Sequence, residues 1–243
     1  MLRRMWDLGL RRQAITVIMS DLREMREKRE SHFGRLVRSW RGVYVDVGAY
    51  IGDTVDWAVR AKAVIAIEPD PKNLKYLNLT AATDRRVTVI PEACGDGSEI
   101  ELLYTLDGVK NTFIATVAEG RDLVAAERRR TIRLDDLDIP EGDLLVKVDC
   151  EGAEHLVLAG AERLIMSRRP VLLIEYHANR QKVLDFLSRH GYAVTDERET
   201  KDRRWRHGRL IAVPLLQVGG LTPLPSPKPA TIPAQMPASL LAE

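Results

Sequence analysis

The chain has 243 residues, 45% apolar and 30% charged, which suits one globular domain with appendages rather than two domains. A net charge of +2 excludes a strongly basic whole-protein field, and two cysteines, Cys94 and Cys150, exclude a disulfide framework and argue against a structural zinc site. No apolar run reaches the roughly 18 residues of a membrane helix, and the short apolar stretch 14–19 has no cleavage site after it, so a cytoplasmic protein is expected.

Met5, Leu8, Ile15, Ile18, Leu22 and Met25 recur at helical spacing, so residues 2–30 are predicted helical. Eleven Lys/Arg against five Asp/Glu make residues 1–43 locally basic. From residue 43 the pattern changes to short β-branched runs: VYVDV (43–47), AVIAI (63–67), VTVI (87–90), LLVKVD (144–149) and VLLIEYH (171–177). Runs this short, bounded by turns, read as buried strands. Helices are predicted between them at 53–61, 71–81, 153–167 and 179–190. Alternating strands and helices argue for an α/β domain with a mainly parallel sheet.

Residues 99–105 and 131–137 read as extra strands, with 106–130 as a loop or short helical insertion. GYAVTDE and RLIAVP form a closing hairpin around a basic loop, 198–209. The remainder holds half of the twelve prolines and few charges, the composition of a disordered tail. The expected organisation is an N-terminal helical extension (1–42), a domain (43–214) and a Pro-rich tail (215–243).

Chemistry points to residues 43–54, VYVDVGAYIGDT. A buried strand runs into a Gly-x-x-x-Gly turn, Gly48 and Gly52, where glycine lets a ligand approach the backbone. Glu68 ends the next strand, 20 residues after Gly48, where an acid can accept from both ribose hydroxyls of a nucleoside. The spacing differs from the dinucleotide fingerprint that serves a pyrophosphate. A ligand with a ribose and no phosphate, such as S-adenosylmethionine, fits. Asp46 is placed to contact its amino-acid portion.

VDVGAYIGDT, IEPDPKNLKYLNLT, EACGD, RLDDL, LLVKVDCEGAEHLVLAGAERLI and PVLLIEYH together resemble the FkbM family of S-adenosylmethionine-dependent methyltransferases. VKVDCEGAE carries the most distinctive part. The resemblance implies a class I methyltransferase (Rossmann-like) fold, with a seven-stranded sheet whose last strand is antiparallel. It implies methylation of a hydroxyl on a sugar, glycan or small natural product. By position it implies Asp46, Gly48 and Gly52 at the methionine end of the cofactor, Tyr50 at its border, Glu68 at the ribose and Asp96 near the adenine. Asp96 also reads as an ordinary turn residue before Gly97.

A hydroxyl nucleophile must lose a proton, which calls for a base or a metal. Asp149 and His177 end the fourth and fifth strands and are the leading base candidates, with Glu151 and Glu175 as orienting groups. Those four can also hold a divalent ion, a reading less favoured because carboxylates at strand ends are common without one. Glu154 suits a helix N-terminus. Lys147, charged in the middle of a buried strand, calls for an acidic neighbour. Two alternatives stand beside the small-molecule enzyme. One is an RNA methyltransferase using the basic N-terminal helix and Arg203, Arg204, Arg206 and Arg209 around Trp205. The other is a non-catalytic protein that retains the fold.

Overall fold

Five of the predicted strands form as read; those at 43–47, 63–67, 144–148 and 171–176 are almost wholly buried, and the one at 87–90 is half-buried at the sheet edge. The computed structural model describes residues 29–105, 112–114, 123–176, 179–197 and 208–215. In chain order these hold α1 (His32–Ser39), β1 (Val43–Val47), β2 (Ala63–Ile67), α2 (Pro71–Thr83), β3 (Val87–Ile90), β4 (Glu99–Thr105), β5 (Thr112–Ile114) and β6 (Leu123–Arg130). There follow β7 (Leu144–Val148), α3 (Glu154–Ala159), α4 (Glu162–Arg168), β8 (Val171–Tyr176), α5 (Arg180–Arg189), β9 (Tyr192–Glu197) and β10 (Gly208–Pro214). All but the last two residues of the expected helix over 2–30, nearly all of loop 198–209, His177 and almost the whole Pro-rich tail lie outside the described residues.

Seven strands make one sheet in the order β3-β2-β1-β7-β8-β10-β9. β10 runs antiparallel to both β8 and β9, and the other pairs are parallel. This is the class I arrangement, with the last strand inserted antiparallel beside the fifth. Asp46 of β1 lies in register with Lys147 of β7. β4, β5 and β6 form a separate antiparallel sheet.

Alternation along each strand sends side chains to two layers. Val43, Val45, Val47, Val146, Val148, Leu172 and Ile174 pack with Val157, Leu158, Ile165, Val183 and Leu187 of α3, α4 and α5. On the other face Tyr44, Val64, Ala66, Leu145 and Leu173 pack with Phe33 and Val37 of α1, Trp57, and Leu77 of α2. Phe33 and Val37 are fully buried, each contributing about 1.5–3 kcal/mol of burial, so α1 joins the core.

Three local expectations are corrected. Residues 53–61 form successive turns instead of a helix. The Asp56 N–H reaches the Gly52 carbonyl, but Trp57 and Ala58 donate three residues back, to Thr54 and Val55. Val55, Trp57, Ala58 and Ala61 are all buried, more directions than one helix face can serve. Residues 131–137 are not a strand. After an isolated bridge at Ile132 they turn through a 3-10 segment, Leu134–Asp136. Asp135 accepts from the backbone N–H groups of Arg163 and Leu164, which caps α4 and bends the chain. The strand lies earlier, at β6, inside the stretch read as an insertion, where it pairs with β4. The helix expected over 153–167 is broken at Gly160, whose backbone meets Gly95 so closely that a Cβ would sit 1.9 Å from the Gly95 carbonyl oxygen.

No helix among the described residues is long and apolar enough to cross a membrane.

Candidate active site at the strand ends

Parallel neighbours put the carboxyl ends of β1, β2, β7 and β8 on one rim, and most of the predicted site residues stand there. Asp46 is completely buried. One of its oxygens accepts from the Lys147 ammonium at 2.9 Å and the other from the Thr54 hydroxyl. Lys147 also donates to the Gly48 carbonyl at 3.1 Å and lies 3.4 Å from Asp149 Oδ2. The acidic neighbour that Lys147 called for is therefore Asp46, its register partner. Burial works against the lysine charge, but Asp46 and then Asp149 outweigh it and hold the ammonium above its ordinary range; Glu175 pulls the same way. The Tyr44 hydroxyl lies in the same buried group, and burial, followed by Asp46, pushes its pKa well up.

Beyond Asp46 the chain turns sharply. Gly48, Tyr50 and Gly52 all have positive φ, at 77°, 54° and 102°. The Gly48 and Ala49 N–H groups donate to the Ile67 carbonyl. Tyr50 in a left-handed conformation costs about 1–2 kcal/mol. Glu68 secures this turn. Its Oε2 accepts from the Tyr50 N–H at 2.9 Å, and its Oε1 from the Asp70 N–H at 2.9 Å and the Asn73 amide at 3.1 Å. Glu68 is buried, which pushes its carboxyl up against the pull of those donors. A carboxylate offers about four acceptor positions. Three are taken by these donors, which leaves one acceptor position on the carboxylate.

Gly48 has a structural reason that the spacing did not reveal. A Cβ there would lie 1.8 Å from the Asp149 carbonyl oxygen. Its missing side chain lets the loop after β1 press against the chain leaving β7. Gly52 faces Leu77, at 3.2 Å from a built Cβ.

After β7, Asp149 donates its N–H to the Val47 carbonyl and keeps its carboxylate partly exposed, at 18%. Glu151 follows at φ 49° and Gly152 at φ 109°, a second strained turn opposite the first. Glu154, fully buried at the start of α3, accepts from the Gly152 N–H at 2.9 Å, the helix-end role its position suggested. Glu175 is buried in β8, in register with Arg209 of β10. Arg209 is itself buried, so it is not one of the exposed phosphate-contacting arginines expected of the basic loop. His177, Arg203, Arg204, Trp205 and Arg206 lie outside the described residues.

Asp96 stands in a local turn, where its Oδ1 accepts from the Ser98 N–H at 3.0 Å. Ser98 first, and His155 further off, hold its carboxyl below the usual range. His155, in the first turn of α3, was not singled out in the sequence. Burial and then Lys182 lower its pKa, against Glu154 and Asp96. Cys94 and Cys150 are free thiols, both pushed up by burial, Cys94 to about 12. Among the described residues no group of three His, Cys, Asp or Glu side chains is arranged to hold a metal ion.

A groove of about 660 Å³ lies elsewhere, lined by His32, Arg35, Arg38, Arg60 and Val59. Arg35 and Arg38 there donate to the carbonyls of Glu30 and Arg29.

Comparison with known proteins bears on this rim. No curated protein sequence matches significantly. Methyltransferase FkbM from Methylobacillus flagellatus KT superposes with a TM-score of 0.53 at 22% identity, over 76% of this chain and 47% of that one. The chain thus spans about half the length of that protein. Precorrin-6y C5,15-methyltransferase from Geobacter metallireducens GS-15 aligns at 17% identity and a TM-score of 0.42, over 76% of this chain and 88% of that one. Magnesium protoporphyrin IX methyltransferase from Synechocystis PCC 6803, solved with bound SAM, aligns at 12% identity and a TM-score of 0.42, over 71% and 69%. The family model of the methyltransferase FkbM domain matches residues 46–194, which begin at the buried Asp46 and take in Glu68, Lys147, Asp149 and Glu175. With that match over more than half of its length, the chain belongs to the FkbM methyltransferase family.

Proposed function

We propose that this protein is an S-adenosylmethionine-dependent O-methyltransferase acting on a hydroxyl of a sugar, glycan or small natural product. One observation carries the reading: Glu68 and Asp149 flank the Asp46–Gly48 turn from the strand ends on either side, within the family match. Bound S-adenosylmethionine supplies a methyl group already activated on a sulfonium. The chain's own residues then have to hold, orient and deprotonate.

In this reading Gly48, Tyr50, Gly52, Glu68 and Asp96 belong to the cofactor site, and Asp46, buried with both oxygens engaged, braces its turn through Lys147 and Thr54. Glu68 offers its remaining acceptor position to a ribose hydroxyl, and the Glu68–Tyr50 bond keeps the turn in shape beforehand. Asp149 is the base, since its carboxylate is partly exposed and faces the rim. It takes the acceptor's hydroxyl proton as the oxygen bonds to the methyl carbon. Glu175 and Glu151 are assigned to orienting the acceptor, and His177, which follows Tyr176 at the end of the fifth run, is the second candidate for the base. The domain boundaries expected from the sequence, 1–42, 43–214 and 215–243, are kept for the organisation of the chain, with α1 added to the core of the central part.

The test is incubation with isotopically labelled S-adenosylmethionine and small-molecule extract, followed by mass spectrometry. Label appearing on a hydroxyl oxygen supports the reading. Label on nitrogen or carbon, or in no molecule at all, defeats it.

A second reading, methylation of RNA, draws on the arginine-lined groove near α1. It predicts RNA binding whose affinity falls steeply with salt. A flat salt dependence removes it.

A further inference from the structure

The Lys147 ammonium has three N–H donors, and three oxygens stand around it, one from β1, one from the turn after β1 and one from the residue after β7. Asp46 Oδ1 is at 2.9 Å, the Gly48 carbonyl at 3.1 Å and Asp149 Oδ2 at 3.4 Å. The side chain is 3% exposed and grows from β7. Water therefore has little part in fixing these oxygens. Asp46 alone would neutralise a buried lysine. The contacts to Gly48 and Asp149 go further, because they tie the turn after β1 to the residue that closes β7. The same two segments meet where Gly48 lacks a Cβ against the Asp149 carbonyl. Two independent features thus hold the Gly48 turn and Asp149 in one fixed relation.

We propose that Lys147 is a positioning residue for the methyl-transfer reaction: it locks the Gly48 turn to the Asp149 carboxylate, so that the base and the cofactor turn keep one geometry. This rests on the reading of the rim as a methyl-transfer site. Lys147 touches neither reacting atom. It orients Asp149 through the contact to Oδ2. An ammonium at this distance is expected to favour the ionised, proton-accepting form of Asp149. The other titratable groups around the ammonium are Tyr44 and Asp46 from β1, Glu175 from β8, and Cys150 beside Asp149. None of these bridges the two loops as Lys147 does.

The experiment compares the full-length Asp46→Asn protein with Asp46→Asn/Lys147→Met, a pair chosen so that the double variant leaves no lone buried charge. Protein carrying 13Cγ-aspartate is titrated by NMR, with Asp149 assigned from Asp149→Asn. The expected result is an Asp149 midpoint displaced to higher pH in the double variant. An unmoved midpoint overturns the proposal. Should the double variant fail to fold, 15Nζ-lysine NMR of the wild-type chain replaces it. A slowly exchanging Lys147 ammonium signal that shifts in Asp149→Asn is expected, and a rapidly exchanging signal indifferent to that substitution overturns the proposal. Calorimetry of wild-type protein with S-adenosylhomocysteine is run alongside. Absence of binding there counts against the cofactor reading, whereas an unmoved Asp149 midpoint counts against Lys147 alone.

Discussion

Asp46 and Lys147 are 101 residues apart in sequence, yet they are register partners on adjacent parallel strands, with the ammonium 2.9 Å from the carboxylate in the sheet interior. Removing one partner of a buried pair leaves an uncompensated charge, at a cost of about 3–5 kcal/mol. Lys147→Met is expected to lose that much in urea unfolding. Asp46→Asn/Lys147→Met is expected to lose less than the sum of the single changes, by on the order of 1–3 kcal/mol. Strict additivity would mean that the two groups do not interact.

Gly48→Ala is expected to destabilise the fold by about 3 kcal/mol or more, through positive φ and collision with the Asp149 carbonyl. A thermal melt reads this without any ligand. A melting temperature equal to wild type would show that the loop after β7 moves aside freely.

Much of this was legible in the residues, and the failures have identifiable causes. β1, β2 and β7 could be read because both faces are buried, which leaves uninterrupted apolar runs. Lys147 stood out against such a run, and an acidic neighbour followed from the cost of burying charge. Which acid it was depended on strand order, which no local pattern encodes. β6, LVAAERRR, has no alternating apolar face and exists by pairing with β4. TIRLDDL alternates as a strand should, but the backbone donors of α4 claim Asp135 and bend it. The Gly48 spacing pointed to a ligand turn, while the packing that also requires glycine there comes from a segment 101 residues away.

Glu151 holds φ 49° in the loop after β7. Glu151→Gly and Glu151→Ala both delete the side chain and differ only in backbone preference. The glycine variant is expected to be more stable by about 1 kcal/mol. Equal chemical-denaturation midpoints would show that this backbone conformation carries no strain.

The buried Cys94 thiol, raised to about 12, makes a pH prediction. Its folded value lies above its ordinary value of 9.0, so its contribution is intact below the latter and is lost as pH rises towards the former. Each pH unit across that window removes about 1.4 kcal/mol. The stability gap between wild type and Cys94→Ala should therefore narrow between pH 9 and 12 in urea titrations. A constant gap would show that the thiol ionises as readily folded as unfolded.

The central claim is that the rim around Asp46, Gly48 and Glu68 binds S-adenosylmethionine, and calorimetric titration with S-adenosylhomocysteine tests it most directly. The account predicts one site per chain in the wild type. In a folded Glu68→Ala variant it predicts affinity at least roughly tenfold weaker, through loss of a charge-assisted hydrogen bond and of the Tyr50 anchor. No binding by the wild type, or equal affinity in the folded variant, would contradict it.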